Sequence, residues 1–142
     1  MKSLIAELKR AKEEGKTVFI CGNGGSASTA NHFANDLVKM CGIKALSLCS
    51  NEAVVMAYAN DDGYETIFAS QLRVFFEEGD LLVTLSGSGT SKNVVMAKKY
   101  VTSRGGFVWS FPTMSSYNCD MQRAEDKHLI LSHKITTKLC QN

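Results

Sequence analysis

The chain alternates between short apolar runs and longer segments in which apolar residues recur every three or four positions. The short runs predict strands buried on both faces, at 17–21, 45–49, 81–85 and 107–111. The periodic segments predict helices, at about 4–14, 27–40, 51–60, 65–77, 92–103 and 123–139. Ser3 is the predicted cap of the first helix and Gly15 its predicted stop, and residues 112–120 are predicted as loop.

Strands that alternate with helices favour an α/β fold. The pattern predicts a three-layer, doubly wound parallel sheet of about four to five strands, with helices on both faces. Sheets of this kind bind ligands beyond the carboxyl ends of their strands. We therefore expect the ligand-binding residues in the loops that follow the predicted strands.

The composition is that of an ordinary soluble domain. The 142 residues are 44% apolar and 21% charged, with a formal net charge of +2, and this length suits one domain over residues 1–142. Lys and Arg are scattered, so we expect no nucleic-acid partner. No apolar run approaches the roughly 20 residues that span a bilayer, and the first residues turn charged too soon for a signal peptide. These features predict a cytoplasmic protein with no membrane partner.

The cysteines argue against both disulfides and a thiolate metal site. Their number is odd, their spacing is irregular, and no Cys-x-x-Cys occurs; they stand at Cys21, Cys41, Cys49, Cys119 and Cys140. We expect buried or half-buried free thiols in a reducing compartment.

Two loops rich in glycine and serine carry the strongest chemical signal. Residues 22–26 (Gly-Asn-Gly-Gly-Ser) and 86–91 (Ser-Gly-Ser-Gly-Thr-Ser) each follow a predicted strand and open a predicted helix. Glycine lets the backbone approach a ligand, and the free amides and dipole of a helix N-terminus favour an anion. Serine hydroxyls add uncharged donors, so the two loops together predict a site for a phosphate monoester. The alternative is a tight turn with an N-cap at Ser91.

Neither loop fits a nucleotide-binding motif. The Walker pattern ends in Gly-Lys-Ser/Thr, which neither loop contains. The first loop lacks the third spaced glycine of the dinucleotide fingerprint, and no acidic residue directly follows the second predicted strand. We therefore expect no nucleotide cofactor.

Histidines and carboxylates recur at helical spacing on two predicted helices. His32 and Asp36 are four residues apart, and Glu125 and His128 are three apart, so each pair shares a helix face. His133 lies eight residues beyond Glu125, roughly 12 Å along a straight helix. Glu125 and His133 can reach the same ligand only if the first turn of this helix frays or if two subunits contribute to one site. The alternatives are a surface ion pair for the first two residues and core or helix-terminus histidines for the others.

Asp61 and Asp62 lie in a turn between two predicted helices, in the sequence Asn-Asp-Asp-Gly-Tyr. One interpretation is a carboxylate that accepts hydrogen bonds from sugar hydroxyls. The other is a structural Asx turn, which the same residues favour.

Four ordered segments carry a resemblance to a known family. They are Cys21–Ala27 with His32–Leu37, Ala57–Glu65, Gly79–Val94, and Arg123–His128 with His133. These segments resemble the signatures of the phosphoheptose isomerase family, within the sugar isomerase (SIS) superfamily, and the likeness covers roughly residues 17–139. The resemblance implies a flavodoxin-like SIS fold.

The resemblance also implies an activity and a set of site residues. Members are ketose–aldose isomerases that convert sedoheptulose 7-phosphate to D-glycero-D-manno-heptose 7-phosphate through an enediol. The implied catalytic residues are Asp36, Glu125 and His133. The implied substrate-binding residues are Asn23, Gly24, Gly25, Ser26, Asp61, Ser86, Ser88 and Ser91, of which the last three hold phosphate with help from Ser26.

Zinc and assembly follow from the same resemblance. Some members bind one zinc ion per site through the positions of His32, Asp36, Glu125 and His133. Members are typically homotetramers with sites shared between subunits, which implies a homo-oligomer here, a tetramer or a dimer.

The chemistry of isomerisation fits these residue types. One group must take a proton from the carbon beside the carbonyl, and another must move protons between the oxygens. Asp36 or Glu125 as the base with His133 as the acid, or the reverse assignment, both satisfy this requirement.

Two positions depart from the family pattern. Asp36 stands where the family has a glutamate, so its reach is shorter by about 1.5 Å. Glu125 stands where the family has a glutamine, which adds a negative charge. Two carboxylates in one site repel unless a proton or a cation joins them, so these departures favour a metal ion held by two histidines and two carboxylates.

The alternative function is a non-catalytic SIS module. Such a module would bind a sugar phosphate or another protein, like the related replication-initiator-associating proteins, which lack the acidic and histidine pair. The presence of Asp36 and His133 favours the enzyme. The late start of the chain, without the family's long first helix, favours the module.

Overall fold

The computed structural model describes residues 2–141, and its elements follow the predicted alternation of strands and helices. In chain order they are α1 (Lys2–Glu13), β1 (Val18–Gly22), α2 (Gly25–Lys39), β2 (Ala45–Ser47), α3 (Glu52–Asp61), a 3₁₀ turn (Tyr64–Thr66), α4 (Ile67–Phe75), β3 (Leu81–Leu85), α5 (Lys92–Ser103), β4 (Phe107–Ser110), α6 (Met114–Tyr117) and α7 (Met121–Cys140).

The strands within residues 2–141 form one parallel sheet with the order β2-β1-β3-β4. The central pair is β1 and β3, and their register places Gly22 opposite Leu85. Because the two strands are parallel and in register, they end at the same edge of the sheet. The loops that follow them are therefore neighbours in space.

Alternate residues of each central strand face opposite helical layers. Val18 and Ile20 belong to a core cluster with side chains of α1, α2 and α7. Phe19 and Cys21 belong to a second cluster with side chains of α4 and α5. All five residues of β1 are buried, as a strand covered on both faces requires. The predicted three-layer α/β fold with a parallel sheet is thus confirmed.

The region predicted as loop contains a short helix, and the last helix starts earlier than predicted. Thr113 caps α6 by accepting a hydrogen bond from the Ser116 amide at 3.3 Å. Asn118 then ends α6 in the left-handed conformation, with φ of 49°. Asp120 caps α7 by accepting from the Arg123 amide at 2.9 Å, so the helix begins at Met121.

The predicted helix over 65–77 is shorter in the structure. It divides into the 3₁₀ turn and α4, which ends at Phe75 because Phe76 is extended. The Asp80 carboxylate accepts bonds from the Glu77 and Thr17 amides, both at 2.8 Å, and thereby fixes the turn into β3. None of the helices described over residues 2–141 combines the length and apolar character needed to span a membrane.

Smaller differences occur near the amino terminus. The helix α1 already includes Ser3, so this residue is not its cap; the Ser3 hydroxyl instead accepts from the Trp109 indole at 3.3 Å. Gly15 has φ of 67° just after α1, in agreement with the predicted stop. The strand β2 ends at Ser47, two residues before the predicted end.

The thiols are free, but one is more exposed than predicted. Cys21 and Cys41 are buried, Cys49 and Cys119 are half-buried, and Cys140 is exposed at the end of α7. The Cys140 sulfur contacts Cys41 and the Met40 carbonyl and still stays open to solvent, which the residue type does not reveal.

Candidate functional site

The two glycine–serine loops meet in one cavity at the carboxyl edge of the sheet. The volume of this cavity is about 120 Å³. It is lined by Asn23, Ser26, Leu85, Ser86, Gly87, Ser88, Ser91, Met121 and Glu125. Asn23 comes from the loop after β1 and Ser26 from the first turn of α2; the next five residues come from the end of β3 and its loop, and the last two from α7. We call it the loop cavity.

Serine hydroxyls of the second loop point toward one another. The Ser86 hydroxyl lies 3.5 Å from that of Ser88 and 3.4 Å from that of Ser91. Ser91 occupies the N-cap position of α5, yet its side chain makes no capping bond. The predicted N-cap at Ser91 is therefore present in position but makes no side-chain bond. The tight turn of the same alternative is present, because the Ser86 and Ser88 hydroxyls accept from the amides three and two residues further on, at 3.1 and 3.2 Å.

Glycine at position 22 allows the two loops to approach. A Cβ added to Gly22 would lie 2.8 Å from the Leu85 carbonyl oxygen and 2.8 Å from the Ser26 Cβ. Neither of these atoms can move without shifting the sheet or the start of α2. Gly24, with φ of 57°, then turns the chain into α2 as its N-cap residue and supplies no side-chain cap.

The first turns of α7 cover the loop cavity. Glu125 packs against Gly25, where an added Cβ would lie 2.5 and 2.9 Å from the two carboxylate oxygens. Met121 packs against Gly87, where an added Cβ would collide with the methionine sulfur. The Glu125 carboxylate thus sits beside the N-terminus of α2, the positive end of that helix dipole. The residues that line the cavity include no Lys, Arg or His.

A second cluster joins α2 to α7. The Nε2 atom of His32 lies 2.8 Å from Nε2 of His133 and 3.4 Å from Oδ2 of Asp36. Ligand atoms of the three residues all fall within 4.8 Å of one another, so the three form a possible metal-binding group. The side chain of Asp36 is 10% exposed, against 46% for His32. The cluster therefore has a buried carboxylate on one side and open imidazoles on the other. We call it the histidine–aspartate cluster.

Two predicted site residues, Glu125 and Asp61, lie apart from the sites to which the sequence assigned them. Glu125 lines the loop cavity and is not part of the histidine–aspartate cluster. It precedes His133 by eight residues on one continuous helix, a rise of about 12 Å. Asp61 ends α3 and lines a groove of about 470 Å³ between α3 and α4, with Asp62 and Phe75 among its other lining residues, and not the loop cavity.

His128 belongs to the core of the protein. It is fully buried, and its Nε2 donates to the Pro112 carbonyl at 2.7 Å. Burial lowers its pKa, although the bond to Pro112 acts in the opposite direction. A fully buried imidazole that bonds to a backbone carbonyl supports packing, in line with the alternative of a core histidine.

Two further residues reach the site, although the sequence did not single them out. Asn93, in the first turn of α5, and Tyr64, in the 3₁₀ turn, both hydrogen-bond to the Asn23 side chain. Both fall within the segments that resemble the family, but no spacing rule connects positions that are 41 and 70 residues away from Asn23.

Comparison with known proteins gives one consistent result. Residues 1–111 match the family model described as SIS domain. The phosphoheptose isomerase of Helicobacter pylori (strain Shi470) is 43% identical over 95 residues, which are 63% of this chain and 49% of that protein. The phosphoheptose isomerase of Clostridium acetobutylicum is 30% identical over 94% of this chain and 77% of that protein.

Solved structures agree with the sequence comparisons. A phosphoheptose isomerase from Neisseria gonorrhoeae superimposes with a TM-score of 0.89 and 25% identity, over 99% of this chain and 85% of that one. A phosphoheptose isomerase from Francisella tularensis gives a TM-score of 0.87 at 22% identity, which shows a shared fold. The chain spans about half the length of the first curated relatives it matches, 49% and 52% of those proteins.

Proposed function

This chain belongs to the phosphoheptose isomerase family of SIS domain proteins, and we propose that it converts sedoheptulose 7-phosphate to D-glycero-D-manno-heptose 7-phosphate. The observation that carries the proposal is the histidine–aspartate cluster. A carboxylate and two imidazoles within 4.8 Å supply a base and an acid together. A module that only binds a sugar phosphate has no need of that pair.

The phosphate group of the substrate would bind in the loop cavity. Ser86, Ser88 and Ser91 supply hydroxyl donors there, and Ser26 reaches the cavity from the first turn of α2. Gly24 has open space beside it, which leaves room for a ligand at the first loop, whereas the space beside Gly25 is taken by the Glu125 carboxylate. Asn23 lines the cavity and also the groove beside Tyr64, so it would contact the sugar chain next to the phosphate.

Proton transfer would use Asp36 and His133. Asp36 is the better base of the two candidate carboxylates, because Glu125 lies in the loop cavity, apart from the histidines. The base removes a proton from C1, beside the ketose carbonyl, while the C2 oxygen gains a proton to give the enediol. Return of a proton to C2, with loss of the O1 proton, yields the aldose. C1 is oxidised to an aldehyde while C2 is reduced to an alcohol, so the electrons balance within the substrate and no redox cofactor is required.

The histidine–aspartate cluster also fits a zinc ion. Two ligands of a tetrahedral zinc at about 2.05 Å are about 3.3 Å apart, and the measured separations of 2.8 and 3.4 Å lie on either side of that value. Two imidazoles and a carboxylate are also a donor set that catalytic zinc sites use. His32, Asp36 and His133 would hold the ion, and Glu125 would not. A ligand atom bonded to zinc cannot also accept a proton, so the cluster would serve either as a zinc site or as the acid and base described above. When bound, zinc would polarise the oxygens of the reacting carbons.

We further propose a homo-oligomer, a dimer or a tetramer. Apolar side chains lie exposed along the groove between α3 and α4, with Val74 at 67% and Phe75 at 53% exposure. Burial against another copy would remove this surface from water. A site shared between subunits would also give Asp61, which lines the same groove, a role toward a neighbouring sugar.

The direct test is turnover by the purified protein. Incubation with sedoheptulose 7-phosphate, with and without added zinc, should produce the aldose, and Asp36→Asn and His133→Gln should abolish it. Asp126→Asn is a matched control, because Asp126 is an exposed carboxylate on α7 outside both sites. Thermal stabilisation by the sugar phosphate is measured in parallel.

The outcomes separate the two functions. Turnover that disappears in the two variants and persists in the control supports the isomerase. Stabilisation by the sugar phosphate without turnover in any protein would establish the non-catalytic module instead.

A further inference from the structure

The side chain of Asn23 is held by a reciprocal pair of amide hydrogen bonds. Its Oδ1 accepts from Nδ2 of Asn93 at 2.8 Å, and its Nδ2 donates to Oδ1 of Asn93 at 3.0 Å. Asn93 is 2% exposed, in the first turn of α5. A buried amide pair of this kind leaves each side chain one orientation.

A backbone amide determines which orientation that is. The Val94 N–H group can only donate, and it lies 2.9 Å from Oδ1 of Asn93. The other terminal atom of Asn93 must then be its nitrogen, which donates to Asn23. The atom of Asn23 that receives this bond must therefore be its oxygen.

Tyr64 occupies the second lone pair of the Asn23 oxygen. Its hydroxyl lies 2.8 Å from the same Asn23 oxygen and donates to it. A carbonyl oxygen has two lone pairs, and both are now used. Among the residues that the structure describes, the remaining hydrogen-bonding capacity of Asn23 is one N–H of its amide nitrogen.

We propose that Asn93 and Tyr64 are positioning residues that make Asn23 a hydrogen-bond donor to the ligand. The ligand atom facing Asn23 is then an acceptor oxygen, either of the phosphate or of the sugar carbonyl. Only the identity of the ligand rests on the proposed function; the orientation of Asn23 does not.

The orientation can be read by NMR from the Asn23 side-chain NH₂ signals, which are assigned by their loss in Asn23→Asp. Tyr64→Phe and Asn93→Ala should both shift these signals, because each removes a bond to the Asn23 oxygen. Tyr100→Phe, which removes a tyrosine hydroxyl elsewhere on α5, should leave them in place.

The donor role is tested by adding ligands in two arms. Inorganic phosphate and unphosphorylated sedoheptulose are titrated separately, and one of the two NH₂ protons should move downfield with the arm that supplies the acceptor. Tyr64→Phe should weaken that binding about 2- to 12-fold, the range of a single neutral hydrogen bond. Signals that ignore Tyr64→Phe overturn the orientation, and signals that respond to neither ligand overturn the donor role. If the NH₂ signals respond but sedoheptulose 7-phosphate is not turned over, the proposed function fails and this inference stands.

A separate observation concerns two thiols at the far end of α7. The sulfur of Cys41, just after α2, lies 3.0 Å from that of Cys140, the last residue of α7. A disulfide has an S–S length of about 2.05 Å, so the two atoms are about 1 Å from bonding distance. Cys140 is exposed and Cys41 is buried, which gives the pair one accessible and one protected member.

We infer that Cys41 and Cys140 form an oxidation site that takes a peroxide. The sulfur of Cys140 attacks the peroxide oxygen and becomes a sulfenic acid, with release of water. The sulfur of Cys41 then attacks that sulfur and loses its proton, and the sulfenic hydroxyl leaves as a second water. Two thiols are oxidised to one disulfide, and one peroxide is reduced to two waters.

The order of the two steps follows from the surroundings. Burial raises the pKa of Cys41 to about 12, and the contact with Cys140 adds to this effect. A neutral, buried thiol is a poor first nucleophile, whereas the exposed Cys140 meets the oxidant. The new bond would join the end of α2 to the end of α7, the two helices that carry the histidine–aspartate cluster.

Hydrogen peroxide treatment tests the site. The intact mass should fall by two hydrogens, peptide mapping should join residues 41 and 140, and the melting temperature should rise until dithiothreitol reverses it. Cys119→Ser should behave like the native chain, and Cys41→Ser should stop at an oxidised Cys140. Oxygen addition to Cys140 in the native chain, without the cross-link, would overturn the inference.

Discussion

Glu125 places a negative charge on the wall of the cavity that we propose holds phosphate. Its carboxylate packs against Gly25 at the N-terminus of α2, where backbone amides would otherwise face an anion. Glu125→Gln removes the charge and keeps the length of the side chain. We expect this variant to bind a phosphate ligand more tightly than the native chain does.

The size of the cavity sets the magnitude. A volume of about 120 Å³ equals a sphere roughly 6 Å across, and unit charges that far apart repel by about 2.8 kcal/mol at an effective dielectric of about 20, or about 0.7 kcal/mol in bulk water. These energies correspond to roughly 3- to 100-fold in Kd. Glu125 is half-buried, so water screens part of the charge, and we expect a gain of about 3- to 10-fold.

Calorimetric titration with inorganic phosphate at low and high salt measures the effect. Asp126→Asn is the control, because it removes one negative charge from an exposed neighbour on the same helix. The gain in Glu125→Gln should shrink as salt screens the repulsion, and the control should bind as the native chain does. Unchanged or weaker binding by Glu125→Gln at low salt would mean that the anion does not sit beside this carboxylate.

Three further predictions concern packing and pH. Gly87→Ala should weaken phosphate binding, because the new methyl group meets Met121. Met121→Ala in the same chain should restore binding, and calorimetric titration with phosphate measures both affinities. Asn118 has a left-handed backbone with φ of 49°. Asn118→Ala should therefore lower the free energy of unfolding by about 1 kcal/mol, whereas Asn118→Gly should not lower it. Urea denaturation of both variants measures this free energy. Burial lowers the pKa of His128, so below its ordinary value of 6.5 the unfolded chain binds a proton that the folded chain does not. The free energy of unfolding should therefore fall as the pH drops below 6.5, and the slope should flatten in His128→Gln.

The fold was predictable because each central strand packs against a layer of helices on both of its faces. The run from Val18 to Cys21 is apolar at every position, and its alternate residues pack on opposite sides of the sheet. A parallel strand covered by helices on both faces needs apolar residues on both of its sides. The meeting of the two loops follows as well, since parallel neighbours end at the same edge.

Element boundaries were less predictable because they depend on single capping contacts. Asp120 and Thr113 each accept one backbone hydrogen bond, and these bonds decide where α7 and α6 begin. An acidic or hydroxyl residue in a loop has many possible partners, and the sequence does not say which of them lies within reach.

Some contacts of the site follow from spacing along one helix, and others depend on how separate helices pack. The pairing of His32 with Asp36 follows from helical spacing alone, because residues four apart share a face. The approach of His133 depends on how α7 packs against α2, and the sequence gives only its distance from Glu125 along one helix. That distance, about 12 Å, is the reason a single straight helix brings Glu125 to the loop cavity and His133 to the histidine–aspartate cluster.

Residue spacing cannot show whether the Asn23 side chain donates a hydrogen bond to a ligand or accepts one from it. An asparagine offers a donor and an acceptor in nearly the same shape, so the residue name alone allows either role toward a ligand. In this fold the choice is made by the Val94 amide, which fixes Asn93, and Asn93 in turn fixes Asn23. The Val94 N–H group can only donate, and through Asn93 it fixes the direction of an amide that could otherwise donate or accept. The first of these bonds joins neighbours on α5, but the second joins residues 70 positions apart on different elements, and only the folded chain supplies that distance.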